Sequence, residues 1–578
     1  MKVVKLKINN TSVEVPESYS VLDAARQAGF DVPTLCFMKE TNEVGACRVC
    51  MVEIEGQSKL QASCVTTAKE GMVVKTNTKR VRDRVRTNVE LLLENHNREC
   101  TTCVRSGNCE LLVLADNLDI PDLEFQGAKR KRYYDDFSPS IVRDSSKCIL
   151  CGKCVSVCKK VQGIGILGFQ NRGFESNVGP AFQHKMNDTQ CVFCGQCVNV
   201  CPVGALTEKT DIPRVWDALE DPKVHVVVQT APAVRAALGE EFGNPIGTRV
   251  TGKMVASLRR LGFDNVFDTN FAADLTIMEE GFELLDRIQN NGVLPMITSC
   301  SPGWIRYCEF NHHDFLPNLS TCKSPHQMFG ALTKTYYAEK QNIDPRKMFV
   351  VSVMPCISKK SEAARPEMEQ EGLRDVDAVI TTRELAKMIK QAGISFNTLP
   401  DESFDKILGE YTGAGVIFGA TGGVMEAAIR TVADVLTGED LESIEYHGVR
   451  GTDQIKEATV NLGGIDVKVA VVHGTKTAGE LMELIRKGEK EYHFIEVMGC
   501  PGGCVNGGGQ PQVHQKIRDT VDLKVERAKA LYEEDVILDV RKSHKNLEVQ
   551  KLYDEFLGKP NSHKSHHLLH THYTKRHN

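Results

Sequence analysis

CILCGKCVSVC at residues 148–158 and CVFCGQCVNVCP at residues 191–202 repeat one spacing, C-x2-C-x2-C-x3-C, with a proline closing the second copy. Three thiolates at i, i+3 and i+6 suit one corner-sharing iron–sulfur cuboid, whereas a zinc ion takes its ligands in pairs. The repeat is the densest part of a wider pattern. Of 21 cysteines in 578 residues, fifteen lie between Cys36 and Cys201, mostly in short-spaced groups. A chain of this length has no need of a disulfide framework, so such groups read as metal sites in a reducing compartment. Hydrophobic residues at 41%, charged residues at 25% and a net charge of -5 describe an ordinary globular protein without the electrostatic footprint of a nucleic-acid binder. No apolar run approaches the roughly 18 residues of a membrane span, and MKVVKLKINN is not a signal peptide. A soluble, cytoplasmic protein is expected.

The repeat resembles bacterial two-cluster ferredoxins, in which the fourth cysteine of each run serves the other cluster. One 4Fe–4S cluster would then use Cys148, Cys151, Cys154 and Cys201, and the other Cys191, Cys194, Cys197 and Cys158. Gly152 and Gly195 are expected to let the backbone approach the sulfurs. Toward the amino terminus, Val4, Leu6, Ile8, Val13 and Val15 alternate across Asn9-Asn10, the pattern of a hairpin, and Val21 to Ala28 reads as a helix. Cys36, Cys47, Cys50 and Cys64 follow in loops. Their C-x10-C-x2-C-x13-C spacing departs from plant ferredoxins and resembles the 2Fe–2S domain shared by iron-only hydrogenases and the large Fe–S subunit of respiratory complex I. After a helical stretch, Val81 to Glu94, come His96, Cys100, Cys103 and Cys109. One imidazole and three thiolates complete either a zinc site or a 4Fe–4S cluster, and the position between two other cluster modules favours iron. Gln126 to Pro139 reads as a polar linker. Its basic run Lys129-Arg130-Lys131-Arg132 is expected to be a solvated face, with a docking patch for an acidic electron carrier as the alternative.

From Val224 the pattern changes to alternating strands and helices, with helices expected over Met254 to Leu261 and Asp274 to Ile288. VHVVVQTAP, PMITSCSPGW, MFVVSVMPC and AGVIFGATGG each read as a strand ending in a small-residue loop. Parallel α/β sheets place function at the carboxyl ends of their strands, and Cys300, Cys356, Cys500 and Cys504 fall at such ends.

TSCSPGW from Thr298, MPCISKKSE from Met354 and MGCPGGCVNGGGQP from Met498 resemble the signature loops of the iron-only (FeFe) hydrogenases, and the likeness extends over essentially the whole chain. The resemblance implies a fold of ferredoxin-like Fe–S domains followed by an α/β catalytic domain of two lobes. It implies five modules: 1–78, 79–125, 139–210, 211–515 and a small-subunit-like 516–578. It further implies an H-cluster, a 4Fe–4S cubane joined through a cysteine sulfur to a di-iron unit bearing carbonyl, cyanide and azadithiolate, which reversibly joins protons and electrons into H2. Cys356, Cys500 and Cys504 would hold the cubane, with Cys504 as the bridge; soft thiolate suits iron. Gly502, Gly503 and Gly507-Gly508-Gly509 would leave room for the cofactor. Lys359 would hold cyanide, and Ala231, Pro232, Met354, Phe418 and Met498 would form a dry wall, plain core packing being the alternative for the last three. Cys300, Glu280, Ser320 and Glu283 map onto the proton relay; read without the family, Glu280 and Glu283 would be a solvated acidic face beside Glu279.

One position departs from the pattern. Well-known members carry two adjacent cysteines in the first loop, a proton donor and then a cubane ligand, whereas this chain has Cys300-Ser301. Ser301 Oγ may be read as the ligand, Cys300 as the ligand, or a third residue as standing in; Cys300 is taken as the working residue of the loop. Cys308 and Cys322 read as small core residues. Six of the 17 histidines, His563, His566, His567, His570, His572 and His577, fall in what is expected to be a solvated tail. No GxGxxG turn for a nicotinamide or flavin lies between a strand and a helix, so electrons would pass to ferredoxin or to a partner flavoprotein of an NAD(P)-linked assembly with further Fe–S subunits. Dedicated maturases would insert the di-iron unit. The alternative is a non-catalytic electron-transfer subunit or a redox or H2 sensor.

Overall fold

The structure is a computed structural model that describes residues 2–123, 125, 127–438, 440, 445–462 and 464–577. Gln126, at the head of the expected linker, and Asn578, at the end of the expected last module, lie outside the described residues.

The amino-terminal alternation folds as read. Val3–Ile8 and Thr11–Pro16 pair antiparallel, burying Val4, Leu6, Ile8, Val13 and Val15 on one face. Val73–Lys75, Met51–Ile54 and Gln61–Ala62 extend this to a five-stranded sheet. The helix Val21–Gln27 opens on a capping box in which Ser20 and Asp23 satisfy each other's backbone N–H groups. The next helix spans Lys79–Asn95 and buries Val81, Val85 and Val89.

The linker reading needs correction. Tyr134–Asp135 is a strand paired with Ile141–Asp144, which in turn pairs with Leu206–Glu208 after the second cysteine run. The basic run is partly structural: Arg132 forks onto Asp144 at 2.9 and 3.3 Å, and Arg130 reaches the Cys148 carbonyl at 3.4 Å. Polar composition hides a strand flanked by an ion pair, whose own Asp135 carboxylate accepts from the Phe137 and Met186 backbone N–H groups.

The glycines of the repeat take left-handed backbone conformations. Gly152 and Gly195 each precede a short helix with φ of 78° and 73°, a region that penalises a Cβ. A methyl on Gly195 would lie 2.6 Å from Ile357 Cδ1 and 2.9 Å from Gly508 Cα. Gly195 therefore also closes on loops of the catalytic domain, whereas Gly152 faces Asn42 and Phe169.

That domain holds two four-stranded sheets. In the first, Asn265–Asp268, His225–Thr230, Met348–Met354 and Ala378–Thr381 run parallel in that order. In the second, Met296–Ile297, Phe494–Met498 and Ile465–His473 are parallel, and Ile455–Leu462 returns as a hairpin partner. PMITSCSPGW thus contributes only a two-residue strand. AGVIFGATGG is not a strand: Gly413–Ile417 is a helix buried on every side, packed against helices Thr269–Gln289 and Leu523–Ile537. A short continuous apolar run has no periodicity that separates a buried strand from a buried helix.

The carboxyl-terminal segment is woven into the catalytic domain. Arg527, fully buried, forks onto Glu240 at 2.6 and 2.7 Å. The helix His563–Leu569 lies on Pro325–Leu332. His570 is buried, against the expectation of a solvated tail, whereas His563, His566 and His567 are exposed. Among the described residues, no helix is long and apolar enough to cross a membrane.

Arg383 couples the cluster domain to the catalytic loops. It forks onto Glu208 at 2.9 and 3.2 Å and donates to Asn199 Oδ1, to the Gly508 carbonyl at 2.7 Å and to the Gln510 carbonyl. Replacing it strands a buried carboxylate, a change that costs about 3 kcal/mol or more. Arg383→Leu should therefore lower the apparent melting temperature of the cluster-loaded protein and expose amides 507–510 to hydrogen exchange; unchanged values would show that the fork carries no load.

Candidate functional site

The strands Met296–Ile297, Met348–Met354 and Phe494–Met498 end at one place, and their loops carry Cys300-Ser301, Cys356 and Cys500-Cys504. These residues line one cavity of about 90 Å³ together with Ala231, Pro232, Met354, Phe418, Met498 and Lys359. The wall residues Ala231, Met354, Phe418 and Met498 are buried. The loop cysteines, Lys359 and the expected wall residues thus surround one cavity, whereas Gly502, Gly508 and Gly509 are not part of its lining.

Local geometry explains how the loops close. Gly502 and Gly503 have φ of 83° and 94°, and a Cβ on Gly503 would meet Thr421 N at 2.7 Å. Cys356 sits two residues before the helix Ser358–Ala363; burial raises its thiol pKa, and the Lys359 ammonium with the N–H groups of Lys359 and Ser358 offsets part of the rise. Burial pushes Cys504 up to about 12, and Cys300 and Cys500 well above the ordinary thiol value. These thiols are neutral without a cation, and only a metal would make them thiolates. Soft donors, an apolar wall and glycine where the loops crowd suit an iron–sulfur cofactor.

Lys359 donates to the Cys300 carbonyl at 3.0 Å and to Glu362 at 2.8 Å. Glu362 also accepts from His326 Nε2 at 2.5 Å and Ser324 Oγ at 3.0 Å. Although burial opposes ionisation, Lys359 and His326 hold its carboxyl down at about 2. Burial lowers His326 to about 4, so it donates as a neutral imidazole. The reading of the sequence missed both. Glu362 stands three residues after Lys359 on one helix, a spacing that could have marked it; His326 lines the cavity from a distant helix and left no such mark.

Glu280, Glu283 and Glu279 lie on the helix Thr269–Gln289. Glu280 and Glu279 are buried, which overturns the reading of a solvated acidic face. Desolvation, reinforced by Glu283, raises Glu280 to about 8, with the nearby Ser320 hydroxyl and Ser299 backbone opposing the rise. Cys300 is its electrostatic neighbour on one side. On the other, Ser320 Oγ donates to Glu283 Oε2 at 2.8 Å, and Glu283 pairs with Arg287 at 2.6 Å. Glu279 instead anchors the carboxyl-terminal segment, accepting from Tyr553 Oη at 2.5 Å, Asn561 N at 2.9 Å and His570 Nε2 at 3.1 Å. Cys308 and Cys322 are buried, as expected of core residues.

The remaining cysteines gather as the spacing expects. Cys148, Cys151, Cys154 and Cys201 line one small cavity, and Cys158, Cys191, Cys194 and Cys197 another. Cys50 and Cys64 sulfurs lie 3.3 Å apart, and Cys36 and Cys47 hydrogen-bond to each other. Cys103 and Cys109 are electrostatic neighbours, with Cys100 in the same turn as Cys103. His96 is buried, which lowers its pKa to about 4; it bonds the Lys147 backbone while Nδ1 has no partner, the arrangement of an imidazole free to ligate. Gln162 donates to the Gly499 carbonyl at 3.0 Å and Gln196 to the Asn506 carbonyl at 2.8 Å, so the second quartet abuts the loop of Cys500 and Cys504.

Comparison with known proteins agrees with this arrangement segment by segment. Residues 1–79 match a 2Fe-2S iron-sulfur cluster binding domain, 86–123 the iron-sulfur binding region of NADH-ubiquinone oxidoreductase G, and 147–205 a 4Fe-4S dicluster domain. Residues 224–508 match the iron only hydrogenase large subunit, C-terminal domain, and 521–576 the iron hydrogenase small subunit. The NADP-reducing hydrogenase subunit HndD of Solidesulfovibrio fructosivorans is 50% identical, with 100% of both chains covered. Iron hydrogenase 1 of Clostridium pasteurianum is 47% identical over 98% of this chain and 99% of its own. The structure of an apo FeFe-hydrogenase variant from Chlamydomonas reinhardtii is 42% identical, covering 64% of this chain and 99% of that one, with a TM-score of 0.57. With the catalytic loops, the cluster-binding domains and full-length relatives all in agreement, this chain belongs to the FeFe hydrogenases.

Proposed function

We propose that the chain catalyses reversible H2 oxidation and proton reduction in the cytoplasm, exchanging electrons through four accessory clusters with ferredoxin or with the flavoprotein of an NAD(P)-linked assembly. The observation that carries the reading is the convergence of Cys356, Cys500 and Cys504 on one apolar cavity beside the second cysteine quartet. The modules are 1–78, 79–125, 139–210, 211–515 and 516–578, and the two sheets of the fourth form two lobes with the cavity between them. Cys36, Cys47, Cys50 and Cys64 hold a 2Fe–2S cluster; His96, Cys100, Cys103 and Cys109, and then the two quartets, hold three 4Fe–4S clusters.

When bound, the H-cluster supplies the redox chemistry that joins two protons and two electrons into H2. Cys356, Cys500 and Cys504 would hold it, and maturases would have to supply the di-iron unit. Met354, Phe418, Met498, Ala231 and Pro232 exclude water, so each fixed charge near the cavity counts for more. Lys359, held by Glu362, keeps a cation at the rim. Cys300 bears a proton at Sγ, Glu280 at its carboxyl, and the Ser320 hydroxyl hands on toward Glu283 and the surface. A buried acid near pH 8 can both hold and release a proton at cellular pH.

Two measurements check the proton route. Glu283→Ala should cut viologen reduction under H2 by roughly 100-fold or more, with the infrared bands of carbonyl and cyanide unchanged; full turnover with normal bands would remove Glu283 from the path. Glu280 has a folded pKa of about 8 against 4.5 unfolded, so the folded protein holds an extra proton between those values. That favours the folded state at low pH and is lost as pH rises toward 8. Glu280→Gln should therefore be more stable, relative to the parent, at pH 9 than at pH 5; equal differences at both would contradict a buried neutral carboxyl.

A further inference from the structure

A 4Fe–4S cubane presents four iron corners, and Cys356, Cys500 and Cys504 supply three thiolates. Two donors compete for the fourth, the Cys300 thiol and the Ser301 hydroxyl, which are adjacent and both line the cavity. Their surroundings separate them. Ser301 is the N-cap residue of the helix Pro302–Asn311, a place where a serine ordinarily turns its hydroxyl back onto the helix's free N–H groups. Here it makes no capping bond. Its Oγ points across to the second sheet's loop, 3.0 Å from the N–H of Gly499, the residue next to Cys500. A side chain at position 499 would collide with it, since a Cβ there would also lie 3.0 Å from that Oγ. The Cys300 thiol makes no such bond to the second sheet's loop: its electrostatic neighbours are Glu280 first and then Lys359 and Cys504, and its carbonyl takes the Lys359 ammonium.

We propose that Ser301 Oγ ligates the fourth iron of the cubane and that the Cys300 sulfur is not a ligand. The inference rests on the hydrogenase reading of the cavity. On ligation the Oγ–H bond breaks and its proton leaves to solvent as the cluster enters. An Oγ–Fe bond forms from an oxygen lone pair, and no electron is transferred. The Gly499 N–H stays on the oxygen and offsets its charge. An alkoxide is a harder donor than a thiolate and favours ferric over ferrous iron, so this cubane is harder to reduce than one held by four cysteines.

The test uses the full chain made without the maturases, so that clusters are present and the di-iron unit is not. A Cys500→Ala/Cys504→Ala double variant, retaining only accessory clusters, gives the baseline for Mössbauer and EPR spectra. The parent should show an additional four-iron cubane. Ser301→Ala should convert it to a three-iron form, Ser301→Cys should keep four irons and raise the reduction potential, and Cys300→Ala should leave the signal in place. A cubane that survives Ser301→Ala unchanged, or a potential unmoved by Ser301→Cys, overturns the assignment. So does loss of the fourth iron in Cys300→Ala alone. A parent spectrum identical to the baseline overturns the reading of the cavity as a cluster site, and the ligand assignment with it.

Discussion

Half-buried thiols facing one apolar cavity set the terms for this molecule. Cys300, Cys356, Cys500 and Cys504 reach one enclosed volume from separate loops, where desolvation keeps their protons on. Such a cluster of sulfur has little packing value of its own; what repays the convergence is a metal that draws several thiolates at once. The architecture serves this single demand. Two sheets end facing each other, so loops from both can meet, as ligand sites in open α/β sheets do. Left-handed glycines at 502 and 503 let the last loop fold tightly enough to present two sulfurs four residues apart.

The same constraint explains the join between the cluster domain and the catalytic domain. Electron transfer needs neighbouring clusters close together, hence loops that touch backbone to backbone. Gly195 against Gly508, Gln162 on Gly499 and Gln196 on Asn506 meet that need, and Arg383 fastens both sides. On the far side of the cavity the carboxyl-terminal segment performs a different task. By taking Glu279 into bonds with Tyr553 and His570, it leaves Glu280 and Glu283 as the carboxyls beside Ser320.

Much of this was legible in the residues because the signals were local. The hairpin over Val4–Val15 and the helix from Val21 follow from periodicity and the cysteine repeat from spacing, each within a short window, whereas the quartets and the three catalytic loops were legible through their resemblance to known families. What stayed hidden depends on distant partners. The strand Tyr134–Asp135 looks polar because its neighbours are ion-paired rather than packed, and Gly413–Ile417 is apolar all round, so periodicity could not say helix. Glu279 reads as solvated until Tyr553 and His570, nearly three hundred residues on, are seen to cover it. His326 lines the cavity from a distant helix and is tied to it by a hydrogen bond to Glu362 that no local spacing announces. The fate of Ser301 likewise required geometry: its uncapped helix end and its bond to Gly499 are invisible in TSCSPGW.

The central claim is that sulfur from these three loops holds one iron assembly in the cavity between the sheets. Anomalous diffraction at the iron edge, on crystals of the anaerobically matured protein, addresses it directly. The account predicts iron peaks bounded by Cys356, Cys500 and Cys504, with a di-iron pair on the Met354 and Phe418 side. Iron confined to the cysteine groups before residue 202, with none in that cavity, would contradict it.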